Sequence, residues 1–284
     1  MCLRSKLVPW TPPRWVPSTV KVPSSKCVLA NVPTPIEKWN LKDFGDGKQQ
    51  FFIKRDDLTG TSLTGNKIRK LEFLLADAIE KGCDTIIAWG ASTSNHCRST
   101  AVACAELGLE CHLLLTSNES EITYDSGNIT LAALSGAHMY KMETCSFDEA
   151  DKRMENLSSH LAKSGKKAYI IPRDGVKIED LIDITDDYVG KGYGDAWPEL
   201  KELILEVAQS TGIFLDRVYT GKAIYAIKEE LIKNPERFAG DKILFLHTGG
   251  LFGVTDGSLT SEIIEKRKII PFPSELTSTR ENQN

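Results

Sequence analysis

No apolar run in this chain of 284 residues approaches the ~18 needed to cross a membrane as a helix. Neither sign of charge dominates: 35 Lys and Arg stand against 39 Asp and Glu, a net charge of -4, so the basic footprint of a nucleic-acid binder is missing. Arg4 and Lys6 are followed by no apolar stretch of the secretory kind, so no leader is expected and a cytoplasmic location is. The seven cysteines (Cys2, Cys27, Cys83, Cys97, Cys104, Cys111 and Cys145) include no Cys-x-x-Cys pair. An odd count at that spacing offers neither a disulfide framework nor a zinc site, and reads as reduced thiols. His112, His138 and His160 fall in strand or helix patterns; they are assigned no role, and no metal is expected.

What remains is an ordinary globular balance, 41% hydrophobic and 26% charged, long enough for one large domain or two smaller ones. Residues 1–35 are rich in Pro, Ser and Val, and Pro12-Pro13 forbids helix there. They read as an extended arm that packs Trp10 and Trp15 on the body or on a second subunit. Phe51-Phe52-Ile53 is a short strand. Thr85–Trp89, Cys111–Leu115, His138–Tyr140 and Ala168–Pro172 are further strands, separated by helical patterns. Ser146 and Glu149 form a capping box that opens one of those helices. Strand and helix alternating at this spacing predict βαβ units and open, mostly parallel sheets with flanking helices, an α/β fold. Helices are also expected over 196–210 and from Tyr219 through Ile232, and a buried strand over Lys242–Leu246. The polar residues from Ser274 read as a tail.

Two stretches stand out chemically. Leu71, Leu74, Leu75, Ala78 and Ile79 fall at i, i+3, i+4, i+7 and i+8, one apolar helical stripe, with Asn66 as its expected N-cap. Lys67 then lies in the first turn, where the helix dipole disfavours a cation and lowers a lysine's pKa. A neutral amine is the form that condenses with carbonyl groups. Taken alone, Lys67, Arg69 and Lys70 could equally form a solvated basic face. The second stretch, Gly90-Ala91-Ser92-Thr93-Ser94-Asn95-His96, follows a buried strand, and in open parallel sheets ligands bind beyond the carboxyl ends of the strands. Its polar side chains favour a site over a plain connection. Asp56 and Asp57 read as turn and ion-pair residues, Trp89 as core.

In order along the chain come Ile-Lys-Arg-Asp-Asp-Leu-Thr-Gly from Ile53, Gly-Asn-Lys-x-Arg-Lys-Leu-Glu from Gly65, and Ser-Asn-His from Ser94. They are followed by Gly-Tyr-Gly from Gly192, Val-Tyr-Thr-Gly-Lys from Val218 and His-Thr-Gly-Gly from His247. Together, over roughly residues 25 to 255, they resemble the D-cysteine desulfhydrase and 1-aminocyclopropane-1-carboxylate deaminase family, pyridoxal-phosphate enzymes of the tryptophan-synthase-β-like fold. The resemblance implies two α/β domains with pyridoxal 5'-phosphate between them: a larger cofactor domain from 36–66 and 175–273, and a smaller one from 67–174, beside the arm 1–35 and the tail 274–284. It implies that Lys67 carries the cofactor and then serves as base, that Asn95 meets the ring's phenolic oxygen, and that Ser94, Asn95 and His96 hold the substrate. Tyr193 and Tyr219 line the substrate side, and Thr220 and Thr248 lie near the pyridine nitrogen and the pocket wall. The deaminase branch typically has Glu and Leu at these last two positions, so the threonines favour the desulfhydrase branch. The reaction implied is α,β-elimination of D-cysteine to pyruvate, ammonia and hydrogen sulfide, by a homodimer. Opening of 1-aminocyclopropane-1-carboxylate and serine-type elimination or racemisation are the alternatives.

The chain departs from the family at one point. No Gly-Ser-Gly-Gly-Thr loop, the family's phosphate cradle, follows Ile-Pro-Arg. The sequence runs from Gly175 into an acidic segment, Ile178 to Asp187, which places a deletion near Gly175 to Ile178 and leaves the larger domain incomplete. A catalytically silent, truncated form is the reading this favours against the enzyme.

Overall fold

The computed structural model describes residues 7–17, 19, 22–117, 120, 122–124, 126–172, 186–238, 240–257 and 259. The expected deletion junction and the polar tail lie outside them.

In chain order the elements are β1 (Leu7–Pro9), β2 (Ser25–Cys27), β3 (Ile36–Trp39), β4 (Gln50–Arg55), α1 (Lys67–Glu80), β5 (Thr85–Ala91), α2 (Asn95–Leu107), β6 (Glu110–Thr116), α3 (Gly127–Leu134), β7 (His138–Met142), α4 (Phe147–Ala162), β8 (Ala168–Ile170), α5 (Pro198–Thr211), α6 (Thr220–Lys233) and β9 (Lys242–His247). The fold is α/β, as expected. Four strands, β7-β6-β5-β8, form one parallel sheet; β3-β4-β9 form a second, in which β4 and β9 are parallel; β1 and β2 pair as a separate ribbon. Strand β3 was not anticipated. Its Ile36, Glu37 and Lys38 are exposed and only Trp39 is buried, so it carries no apolar run to see.

The four-stranded sheet is covered on both faces, because β5 and β6 are apolar on both. Ile86, Cys111, Leu113 and Leu115 meet α1 and α2 through Leu71, Leu75, Ala101 and Cys104. Ile87 and Leu114 meet Ala150 and Met154 of α4 on the other side. Helix α4 starts as its capping box requires, with Ser146 Oγ accepting from Glu149 N at 3.3 Å. The arm is strapped to α1: Glu72 Oε1 accepts from Leu29 N and Ala30 N at 2.9 Å each, and Trp10 stacks edge-on against Phe73. Trp15 remains 80% exposed.

The three-stranded sheet is filled on one face, where Phe51, Ile53, Ile243 and Phe245 meet Leu200, Leu203 and Ile224 of α5 and α6. On its other face Leu244 and Leu246 stay 56% and 51% exposed. They border an open apolar groove of about 760 Å³ that also touches Tyr193, Tyr219 and Ile227.

Candidate active site

Two loops cross backbone to backbone beside Lys67. Gly65 has φ +102° and Gly249 φ +99°, and a Cβ built on Gly249 would stand 2.7 Å from Gly65 Cα. Only glycines permit that backbone and that approach. Asn66 N then donates to Thr248 O at 3.0 Å, which fixes the start of α1. The Thr59 hydroxyl, fully buried, accepts from Gly65 N and donates to Gly65 O, both at 2.9 Å. Asn66 occupies the N-cap position as expected, but its backbone is helical and its side chain caps nothing. The crossing loop supplies the restraint the cap was expected to give.

The second contribution comes from the end of β5. Ser94 Oγ accepts from His96 N and Cys97 N at 3.1 and 3.3 Å, capping α2. A Cβ on Gly90 would lie 2.9 Å from Ser94 Oγ and from Cys97 Sγ, so glycine lets the helix start tight against the strand. The third comes from the turn before α6. Asp216, 2% exposed, accepts from Val218 N and Tyr219 N at 2.7 Å and from Thr220 N at 3.2 Å.

These pieces enclose a small cavity of about 60 Å³ lined by Thr64, Lys67, Asn95, Asp216, Tyr219, Thr248 and the neighbouring glycines. Of the residues singled out from sequence, Lys67, Asn95, Tyr219 and Thr248 are thus gathered. Ser94 and His96 flank Asn95 on the same turn. Tyr193 stands outside, on the open groove, with its ring edge-on to Tyr219 at 6.0 Å. Thr220 is buried beside the cavity; its hydroxyl donates to Asp216 Oδ2 at 2.7 Å and accepts from Asp216 N at 2.9 Å. Asp56 and Asp57 are ion-pair residues, as expected: Asp56 receives Arg69 Nε at 2.6 Å and Asp57 receives Arg55 Nη2 at 2.7 Å.

Burial sets the electrostatics. Lys67 has its pKa lowered by desolvation, the direction anticipated from the helix dipole but through a different cause. Lys70 is lowered too, by burial and then by Lys67. Burial, with the ammonium groups of Lys70 and Lys67, pushes His96 down to about 3. Burial, then the Tyr193 hydroxyl, raises Tyr219. Cys97 is pushed up to about 12 by burial, which makes it an unreactive thiol.

Two residues escaped the sequence reading. The one signal for Asp216 is its spacing to Thr220, an acid four residues ahead of a helix. Arg98 is the one Lys or Arg in α2. It is 1% exposed, and burial lowers it to about 10. Its Nε donates to Asn128 Oδ1 and its Nη2 to Thr64 O, both at 2.9 Å, and its Nη1 donates to Ser62 O. It therefore ties the Lys67 turn to α2 across more than thirty residues of sequence.

Comparison with known proteins shows the family. Residues 28–178 match the model of the family described as "Pyridoxal-phosphate dependent enzyme". The chain is 33% identical over 336 aligned positions to the bifunctional D-cysteine desulfhydrase/1-aminocyclopropane-1-carboxylate deaminase, mitochondrial, of Arabidopsis thaliana, covering 87% of this chain and 84% of the relative. It is 32% identical over 287 positions to a Pyrococcus abyssi protein provisionally named a 1-aminocyclopropane-1-carboxylate deaminase, covering 72% and 85%. A solved structure of a homologue of that deaminase superposes with a TM-score of 0.70 at 27% identity, over 85% of this chain and 96% of that one. The 336 positions of the first alignment outnumber the 284 residues here, so the relative carries internal sequence with no counterpart in this chain.

The cofactor named by that family fits one end of the site. Asn95 Oδ1 and His96 Nδ1 are buried without a hydrogen-bond partner among the described residues, beside a desolvated amine. Buried polar atoms ordinarily find partners, so the pair marks a place for a polar ring. Two of the helix N-termini beside the site already have their amides occupied. The first amides of α6 are taken by Asp216 and those of α2 by Ser94. The space is on the scale of a few water molecules.

Proposed function

This chain belongs to the pyridoxal-phosphate dependent enzyme family, and we propose that it performs α,β-elimination on D-cysteine, releasing pyruvate, ammonia and hydrogen sulfide. The observation that carries this reading is the desolvated Lys67 amine gathered with Asn95, Tyr219 and Thr248 around one cavity. Bound pyridoxal phosphate supplies an electron sink for a carbanion next to the substrate carboxylate.

The chain's residues do the rest. Lys67 Nζ would hold the cofactor and would take the proton from the substrate Cα; its lowered pKa keeps free base available for that transfer. Asn95 would hold the cofactor ring. Ser94 uses its oxygen as a helix cap and keeps its hydroxyl proton for the substrate carboxylate. His96 stays neutral at working pH, so it contributes a ring N–H and no charge. Tyr219 and Tyr193 stand on the open side, where the β-substituent departs, and Tyr219 is held protonated by burial. Thr248 at the wall and Thr220, its hydroxyl given to Asp216, put no acid at the two positions where the deaminase branch typically has Glu and Leu, which favours elimination over ring opening. Residues from both sheets' loops, Asn95 after β5 and Thr248 after β9, would hold the cofactor. The molecule acts as a homodimer, for which the exposed Trp15 of the arm is an available contact.

The absence of a Gly-Ser-Gly-Gly-Thr loop from the sequence favours a second reading, a catalytically silent form. Titration with pyridoxal phosphate under visible absorption separates the two. A saturable band that Lys67→Ala abolishes supports the enzyme, and pyruvate and sulfide release from D-cysteine, compared with ammonia release from 1-aminocyclopropane-1-carboxylate, then decides the substrate. No band at saturating cofactor sinks the enzyme reading for this chain.

A further inference from the structure

A second cluster of ligand-bearing side chains sits at the other ends of the same strands. Glu110 is the first residue of β6 and His112 the third, so both face the same side of the sheet. His138 opens the edge strand β7 and is the cross-strand partner of His112. Glu110 Oε1 lies 2.9 Å from His112 Nε2 and 3.6 Å from His138 Nε2. The three ligand atoms all fall within 4.8 Å of one another. The two imidazoles stack with centroids 4.6 Å apart.

Ligands of a tetrahedral zinc ion, each about 2.1 Å from the metal, stand about 3.4 Å apart. His138, with its side chain 56% exposed, is free to turn to that spacing, and the Glu110–His112 pair, now 2.9 Å apart, would open by about 0.5 Å to admit an ion. His112 is preset. It is 2% exposed, and its Nδ1 lies 2.9 Å from the Tyr140 hydroxyl. When Nδ1–H donates to that oxygen, Nε2 turns a bare lone pair on Glu110 Oε1, two acceptors that a cation between them satisfies. An oriented outer nitrogen of this kind is the usual second partner of a metal-bound histidine. Glu110 Oε2 is held by Lys166 Nζ at 2.5 Å, which leaves Oε1 as a single-oxygen ligand.

We propose that Glu110 Oε1, His112 Nε2 and His138 Nε2 form an open site for a divalent ion of the zinc type, with water in the fourth position. Two imidazoles and one carboxylate suit Zn²⁺, Co²⁺, Ni²⁺ or Cu²⁺ and not the hard ions Mg²⁺ and Ca²⁺. The site is separate from Lys67 and does not depend on the reaction proposed above.

The test is to strip the full chain with a chelator and titrate it with Co²⁺, followed by visible absorption, and with Zn²⁺ and Mg²⁺ by calorimetry. The expected result is one equivalent of Co²⁺ with visible bands and no near-ultraviolet thiolate-to-cobalt absorption, one equivalent of Zn²⁺, and no Mg²⁺ binding. His138→Ala, at an exposed position, is expected to abolish this binding while the thermal unfolding curve of the metal-free chain stays in place. Glu110→Gln is expected to weaken it, and Tyr140→Phe to weaken it about tenfold. A thiolate band, equal binding of Mg²⁺, binding that survives His138→Ala, or no binding at all would overturn the proposal.

Discussion

The four-stranded sheet is closed on both faces and the three-stranded sheet on one. In the first, Ile86, Ile87 and Leu113 are fully buried between helices on either side. In the second, β9 alternates buried Ile243 and Phe245 with exposed Leu244 and Leu246, and its outer edge pairs with no strand among the described residues. An apolar edge strand is normally covered. The candidate site draws on both sheets: Ser94, Asn95 and His96 follow β5 of the closed sheet, while Thr248 follows β9 of the open one.

The comparison can be broken by substitution. In the closed sheet, Ile86→Ala is expected to cost about 2–5 kcal/mol in urea unfolding, because both transfer and cavity effects apply there. A cost under about 1 kcal/mol would mean that sheet is not close-packed. Where the two loops cross, Gly249→Ala is expected to cost about 1–3 kcal/mol in backbone strain alone and to remove the visible cofactor band, since a Cβ cannot fit against Gly65. An unchanged band would show that the crossing does not set the position of Lys67.

A third test uses pH. His96 is at about 3 in the folded chain against an ordinary 6.5, so below 6.5 the unfolded chain binds the extra proton. Stability is then full above pH 6.5 and falls as pH drops towards 3. His96→Gln is expected to flatten that part of a melting-temperature profile; an identical slope in the variant would assign the acid sensitivity elsewhere. The smallest effect is expected in the open sheet. Leu244→Ser should change unfolding by no more than about 0.5 kcal/mol while reducing concentration-dependent association. A loss near that of Ile86→Ala would mean the outer face is covered.

Legibility in the sequence followed the range of the interactions. Strands β5 and β6, the stripe of α1 and the Ser146 cap rest on neighbours within a turn or a strand, and all could be read. Strand β3 could not, because its place comes from pairing with β4 and not from its own pattern. The assembly of Lys67 with Asn95 and Thr248 was visible only through family resemblance, since nothing local joins residues so far apart. Arg98 was invisible for the same reason: its partners are Ser62, Thr64 and Asn128. The lowered pKa of Lys67 was anticipated from the dipole, whereas burial, a tertiary property, is what causes it. His112 and His138 read as plain strand residues because the register that makes them neighbours is not written locally.

The central claim is that the reactive end of a pyridoxal-phosphate site survives around Lys67. Borohydride reduction of the cofactor-treated chain, followed by peptide mass mapping, tests it most directly. The account predicts one stoichiometric pyridoxyl adduct, on Lys67. An adduct spread over Lys70, Lys222 and surface lysines, or none at all, would contradict it.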